Sequence, residues 1–236
     1  MIINIEPTNF GGQLRAGDLV GVLNYLAFLH TQPPVYKDLK FYIPDHSVNP
    51  AKHCLQFRDW LIQNTQYLSV EPGEGYLNLQ NANLWDLRSV TGDVLKLKFD
   101  KPLKKKICVF PLLDAPYNHY RNWSIEMVNS IIDHYMQPQY EEYEKILCMA
   151  NNYNIDQKGF VCDTDYIRNI EHIIDCSHFV GGDTGTSHFA SVLDDDKKIN
   201  YYYGSVGLLH TTPFYALQGR GNINMFWNNN WRTDLL

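Results

Sequence analysis

Ile2, Ile3 and Ile5, with Asn4 between them and Pro7 after, form a short β-branched alternation that predicts a first strand over 2–5. A loop carrying Gly11, Gly12 and Gly17 follows. Leu19, Val22, Leu23, Leu26 and Leu29 then recur on one helical face, and Pro33-Pro34 stops that helix. Phe41-Tyr42-Ile43 before Pro44 predicts a second strand, and 51–62 a second helix. From 66 to 97 the periodicity weakens, and Gly73, Gly75 and several asparagines predict short strands and loops.

Asp100 to Lys106, charged and carrying Pro102, reads as a hinge. After it the alternation restarts: a buried strand over 106–110, a long loop over 111–123, and a helix capped by Ser124 with Glu126 in its first turn. Ile125, Val128, Ile132 and Tyr135 share one face of that helix. A further helix is predicted over 140–153, then a strand over 160–162, a helix over 166–174, a strand over 178–181, a helix over 186–193 and a strand over 199–203. Strands and helices alternating at these lengths make parallel βαβ units, hence an α/β fold with sheets covered on both faces. Two such halves, 1–103 and 104–236, are expected to face a cleft, the usual ligand position of α/β folds.

Composition narrows the possibilities. The 236 residues are 44% hydrophobic, enough for real cores and against disorder or a coiled coil. No run of about 18 apolar residues is present, and the first residues lack the pattern of a signal peptide, so a cytoplasmic protein of a bacterial or phage-infected cell is expected. A net charge of −6 argues against a sequence-blind nucleic-acid binder, and the one dense cationic run, Lys101 to Lys106, reads as a solvated linker. Five scattered cysteines without a Cys-x-x-Cys pair read as reduced core thiols, and no metal or cofactor is expected.

The candidate chemistry concentrates in 178–190, where a buried strand enters a Gly181-Gly182-Asp183-Thr184-Gly185 turn and then a helix. Thr184, Gly185, Thr186 and Ser187 place N–H groups and hydroxyls at the helix start, where anions are favoured. Asp183 can accept from a sugar hydroxyl, and His188 can aim a ring N–H at the same anion. Asp183 or Thr184 could equally serve only to cap the helix.

This segment resembles the ADP-heptose:lipopolysaccharide heptosyltransferases and their relatives, inverting glycosyltransferases of the GT-B fold with two Rossmann-like domains. Their Asp-[Ser/Thr]-Gly-x-x-His-x-Ala pattern is met by Asp183, Thr184, Gly185, His188 and Ala190. Arg121-Asn122-Trp123 resembles the family's Lys-x-Trp segment, with Arg in place of the phosphate-contacting Lys. Gly17-Asp18-Leu19 resembles the segment carrying the family's general base. The resemblance implies a compact two-domain enzyme that transfers a sugar from a nucleoside-diphosphate sugar, with inversion and without metal. It implies Asp18, Arg121 and His188 as catalytic groups. Asp183, Thr184, Gly185, Thr186, Ser187, Arg121 and Gly204 would hold the donor, and Gly12, Arg15 and Gly17 the acceptor side. A carboxylate must take the acceptor proton during in-line attack, and Asp18 at a helix start would be held ionised at some cost in basicity.

The acceptor stays open between a surface glycan such as lipopolysaccharide and a hydroxymethylated base in phage DNA. Two other readings remain beside transfer of this kind. Asp163-Thr164-Asp165 could hold a divalent metal on a nucleotide diphosphate in a GT-A-like transferase, or Asp165 could simply cap the next helix. The chain could also be a nucleotide-sugar or glycan-binding module without turnover.

Overall fold

The computed structural model describes residues 1–6, 13–32, 36–78, 95–113, 122–148, 155–182, 184–203 and 223–227. The chain divides into a first unit built on Met1–Leu97 and a second that begins at Lys98.

In the first unit, β1 (Ile2–Glu6) lies between β2 (Lys40–Tyr42) and β3 (Gly75–Asn78), both parallel to it. Between β1 and β2 runs α1 (Ala16–Thr31), whose Leu19, Val22, Leu23 and Leu26 are wholly buried, the face expected from their spacing. α2 (Lys52–Asn64) follows β2 and buries Cys54, Phe57, Arg58, Trp60 and Leu61. A 3-10 turn, Asp45–Ser47, joins β2 to α2. The strand is short because Pro44 ends it.

The second unit holds a six-stranded, all-parallel sheet in the order β6-β5-β4-β7-β8-β9. Its strands are β4 (Lys104–Phe110), β5 (Glu144–Cys148), β6 (Val161–Asp163), β7 (Cys176–Gly181), β8 (Lys198–Tyr203) and β9 (Ile223–Trp227). Its helices are α3 (Ile125–Tyr135), α4 (Tyr166–Asp175) and α5 (Gly185–Ser191). Ser124 caps α3 by accepting from Met127 N at 3.1 Å. Val128, Ile131, Ile132 and Tyr135 then pack on Ile107, Val109, Leu147 and Val180 of the sheet. All five cysteines are free and all but Cys162 are buried, as their apolar contexts imply.

Three expectations fail. The helix over 140–153 is instead a 3-10 turn, Pro138–Tyr140, followed by β5. Its Glu, Lys and Leu residues favour helix, but Ile146, Leu147 and Cys148 are buried between β4 and β6. A strand covered on both faces shows a continuous apolar run, which periodicity cannot tell from a buried helix. The hinge also ends earlier than expected, because Lys104 to Lys106 already belong to β4. Lys106 is not a solvated linker residue: only 3% of it is exposed. Its Nζ lies 2.7 Å from Asp175 Oδ1 and 3.4 Å from Glu144 Oε2, and it donates to His172 Nδ1 at 3.1 Å. Lys104 holds the other Asp175 oxygen at 2.6 Å, and exposed Lys105 pairs with Glu142. The third failure is an omission: β9 closes the edge beside β8 and had no predicted counterpart.

Candidate functional site

Ligands of parallel α/β sheets gather beyond the carboxyl ends of the strands. Two groups of candidate residues lie at such ends, one in each unit.

In the first unit, the chain returns to the sheet edge at Leu14, whose N–H donates to Ser47 O at 2.9 Å and whose carbonyl accepts from Asn49 N at 2.9 Å. This clamp delivers Arg15, the extended N-cap of α1, and then Ala16, Gly17 and Asp18 in the first turn. Asp18 reaches back so that its Oδ2 accepts from Arg15 N at 2.9 Å, half of a capping box. It is therefore a cap through that oxygen. Burial raises its pKa above the ordinary carboxylate range, and the hydrogen bond and charge of Arg15 only partly oppose that rise. The helix start was expected to favour ionisation and weaken the base. Burial wins, and the carboxylate is the more basic for it. Arg15 is exposed, and Gly12 lies outside the described residues.

In the second unit, β7 ends at Gly181 and the chain turns through Gly182 into α5. Gly182 O accepts from Thr184 N at 2.9 Å and from Ser187 Oγ at 2.6 Å. Thr184 is the N-cap, its Oγ1 accepting from Ser187 N at 3.3 Å and lying 2.7 Å from Thr186 Oγ1. Thr186, Ser187 and His188 are buried, with 2%, 0% and 4% exposure, so the Ser187 hydroxyl works inside the turn. First-turn N–H groups such as those of Gly185 and Thr186 have no carbonyl four residues back within the helix. Asp183, Arg121 and Gly204 lie outside the described residues.

Trp123 adds a contact that sequence reasoning did not assign. Its backbone N–H donates to Leu112 O at 2.6 Å, it is 3% exposed, and its indole lies against the turn. A Cβ built on Gly182 would come within 3.1 Å of Trp123 Nε1 and 3.2 Å of Leu112 Cβ. Trp123 and the Gly182 turn are thus neighbours. Gly181 is tighter still: a Cβ there would lie 2.5 Å from Ser187 Oγ and 2.7 Å from the Phe179 ring. Gly181→Ala should therefore lower the unfolding free energy by about 1–3 kcal/mol in urea titration. A midpoint equal to that of the parent would show that the turn has room to spare.

Asp163 and Asp165 are held by neighbours on and around α4. Asp163 Oδ1 accepts from Asp165 N at 2.9 Å and from Arg168 Nη2 at 3.0 Å, and Oδ2 lies 3.4 Å from His172 Nε2. Asp165 accepts from Arg168 N at 2.9 Å and caps α4. Among the described residues, no group of three or more His, Cys, Asp or Glu is arranged to hold a metal ion. Among them, too, no helix is long and apolar enough to cross a membrane.

No protein-family model matches the chain, and no curated protein matches it. Among solved structures, the chain is similar to a glycosyl transferase family 9 crystal structure from Veillonella parvula DSM 2008. The TM-score is 0.52 at 9% identity, over 96% of this chain and 86% of that one. At that identity the likeness is one of fold, and the fold is the one that the Asp183-to-Ala190 resemblance implied.

Proposed function

We propose, from a fold shared with a family 9 glycosyltransferase structure, that the protein transfers a sugar from a nucleoside-diphosphate sugar to an acceptor hydroxyl, with inversion and without a metal ion. The observation that carries this reading is Asp18: a carboxylate fixed by Arg15 N at the start of α1 and made more basic by burial. Such a group suits removal of the proton from an attacking hydroxyl.

In this reading Asp18 takes the acceptor proton as the hydroxyl attacks the anomeric carbon and the bond to the diphosphate breaks. Gly12, Arg15 and Gly17 belong to the acceptor side. The departing diphosphate gains negative charge, which Arg121 and the N–H groups of Gly185 and Thr186 would offset. Thr184 and Ser187 keep that turn in shape through the bonds to Gly182 O and Ser187 N. Asp183 would orient the sugar, His188 would add a donor, and Gly204 would border the donor. The metal-free form is supported by Asp163 and Asp165, whose carboxylates serve Arg168, His172 and the α4 cap. A net charge of −6 favours a glycan acceptor over a DNA base.

Thermal shift with ADP-, UDP-, GDP- and CMP-linked sugars tests the donor. A ligand present at a hundred times its Kd stabilises by about 2.7 kcal/mol. For a chain of this size that corresponds to roughly 5–10 °C. One nucleotide class should stand out, and a flat response across the panel would remove the donor from the reading.

A further inference from the structure

Among the described residues of the first unit, Arg58 is the most enclosed cation. Its side chain is 10% exposed, yet the two carboxylates it binds are open to water: Asp45 is 85% and Asp59 is 54% exposed. Nη1 donates to Asp45 Oδ1 at 2.5 Å and to Ile43 O at 3.1 Å, while Nε and Nη2 donate to Asp59 Oδ1 at 2.9 and 2.6 Å. The guanidinium therefore grips both the end of the β2 segment and the first residue of the Asp45–Ser47 turn.

That turn is the same one that clamps Leu14. Ser47 O and Asn49 N take the two backbone groups of Leu14, and Ser47 Oγ donates to Ile5 O at 3.4 Å. The next residue after Leu14 is Arg15, whose N–H holds Asp18. One helical turn before Arg58, on the same face of α2, sits Cys54, which is 2% exposed. The Ala16 N–H and the charges of Asp18 and Arg15 all act on its thiol. α2 thus touches the Asp18 segment twice: directly through Cys54, and through Arg58 by way of the turn.

We propose that Arg58 and Cys54 are positioning residues for Asp18, fixing the aim of its carboxylate and keeping water from it. The functional meaning rests on the reading of Asp18 as the base; the structural claim does not. Arg58 works at a distance: it holds the turn, the turn holds Leu14, and Leu14 fixes where Arg15 presents its N–H. Cys54 supplies a weakly polar surface in place of solvent. Arg15, from its own segment, acts on Asp18 by hydrogen bond and charge, and the charge of Asp18 in turn acts on the Cys54 thiol of α2. A looser clamp admits water and lets the carboxyl titrate closer to an ordinary one.

The test uses the full chain labelled with carboxyl-13C aspartate, the Asp18 signal being assigned by its loss in Asp18→Asn. Its titration midpoint in the parent should lie above the usual carboxylate range. In Arg58→Gln and in Asp45→Asn it should move down, with Arg58→Lys between Arg58→Gln and the parent. Cys54→Ser should also lower it, because a hydroxyl draws water where a thiol does not. Asp45→Asn changes an exposed side chain and leaves Arg58 paired with Asp59, so it decides the matter if Arg58→Gln does not fold. A merely structural Arg58 would lower the urea midpoint but leave the Asp18 titration where it was, and that result overturns the proposal. Failure of the base reading shows elsewhere, as full transfer activity in Asp18→Asn, whatever the titration does.

Discussion

Asp175→Ala is expected to lower the unfolding free energy by about 3–5 kcal/mol, because it leaves a buried lysine with only the half-exposed Glu144 at 3.4 Å for an anion. Asp175 ends α4 and is 7% exposed, and its two oxygens hold Lys106 at 2.7 Å and Lys104 at 2.6 Å. Lys104 can turn to water, since its side chain is 61% exposed, but Lys106 at 4% cannot. Urea unfolding at neutral pH measures the loss. A double variant, Lys106→Met with Asp175→Leu, should recover most of it, since it removes both charges together.

The same pair sets a pH signature. Burial alone would raise the Asp175 carboxyl, but hydrogen bonds and charge from Lys104 and Lys106 outweigh it and hold the carboxyl below its ordinary value. A carboxyl depressed on folding contributes stability that is full above its unfolded pKa of about 3.9 and lost as pH falls through the folded one. Burial likewise opposes the charge of Lys106, yet Asp175 and then Glu144 raise it overall. That contribution is full below the unfolded lysine value of about 10.4 and lost as pH rises through the folded one. The pair is therefore at full strength from about pH 5 to pH 9. In Asp175→Ala the acid side of the stability profile should be flatter than in the parent. Equal slopes would mean that other carboxylates control acid unfolding.

Asp18→Asn should reduce sugar transfer about 10²- to 10⁴-fold, the range for losing a general base, while nucleotide-sugar affinity stays unchanged. The amide keeps the size of the side chain, and its oxygen can still accept from Arg15 N. Loss of activity would thus report the missing proton acceptor rather than a lost cap. In the parent, activity should fall on the acid side with a midpoint above the usual carboxylate range, because burial outweighs the opposing influence of Arg15. Rates measured with the donor found by thermal shift check both statements. A variant as fast as the parent would remove Asp18 from the chemistry.

Much of the architecture was written locally. The Leu19-to-Leu29 stripe, the Ser124 cap and the Asp165 cap each depend on residues within a turn or two, and each is found where its spacing places it. β5 was not legible, because what makes it a strand is its pairing with β4 and β6. Lys106 was misread for a similar reason: its partner Asp175 stands 69 positions later, and a run of lysines looks solvated until that partner is in place. At the candidate site, the capping pattern and the Gly181-Gly182 turn could be read from the chain. The basicity of Asp18 could not, since it comes from burial in the folded chain, which no local pattern records. Trp123 left a signal that could have been followed, a lone indole between a predicted loop and a predicted cap.

The order β6-β5-β4-β7-β8-β9 also governs when this sheet can assemble during synthesis. β4 emerges first among its strands but lies inside the sheet, with both partners still to be made. Nearly forty residues separate Phe110 from Cys148, so at roughly 5–20 residues per second β4 waits for its first neighbour for about 2–8 s. Its Ile107-Cys108-Val109-Phe110 run, buried in the finished protein, has no strand partner throughout that interval. The lysines that open the strand are then a ready guard on the nascent chain, keeping a sticky segment soluble until its neighbours arrive.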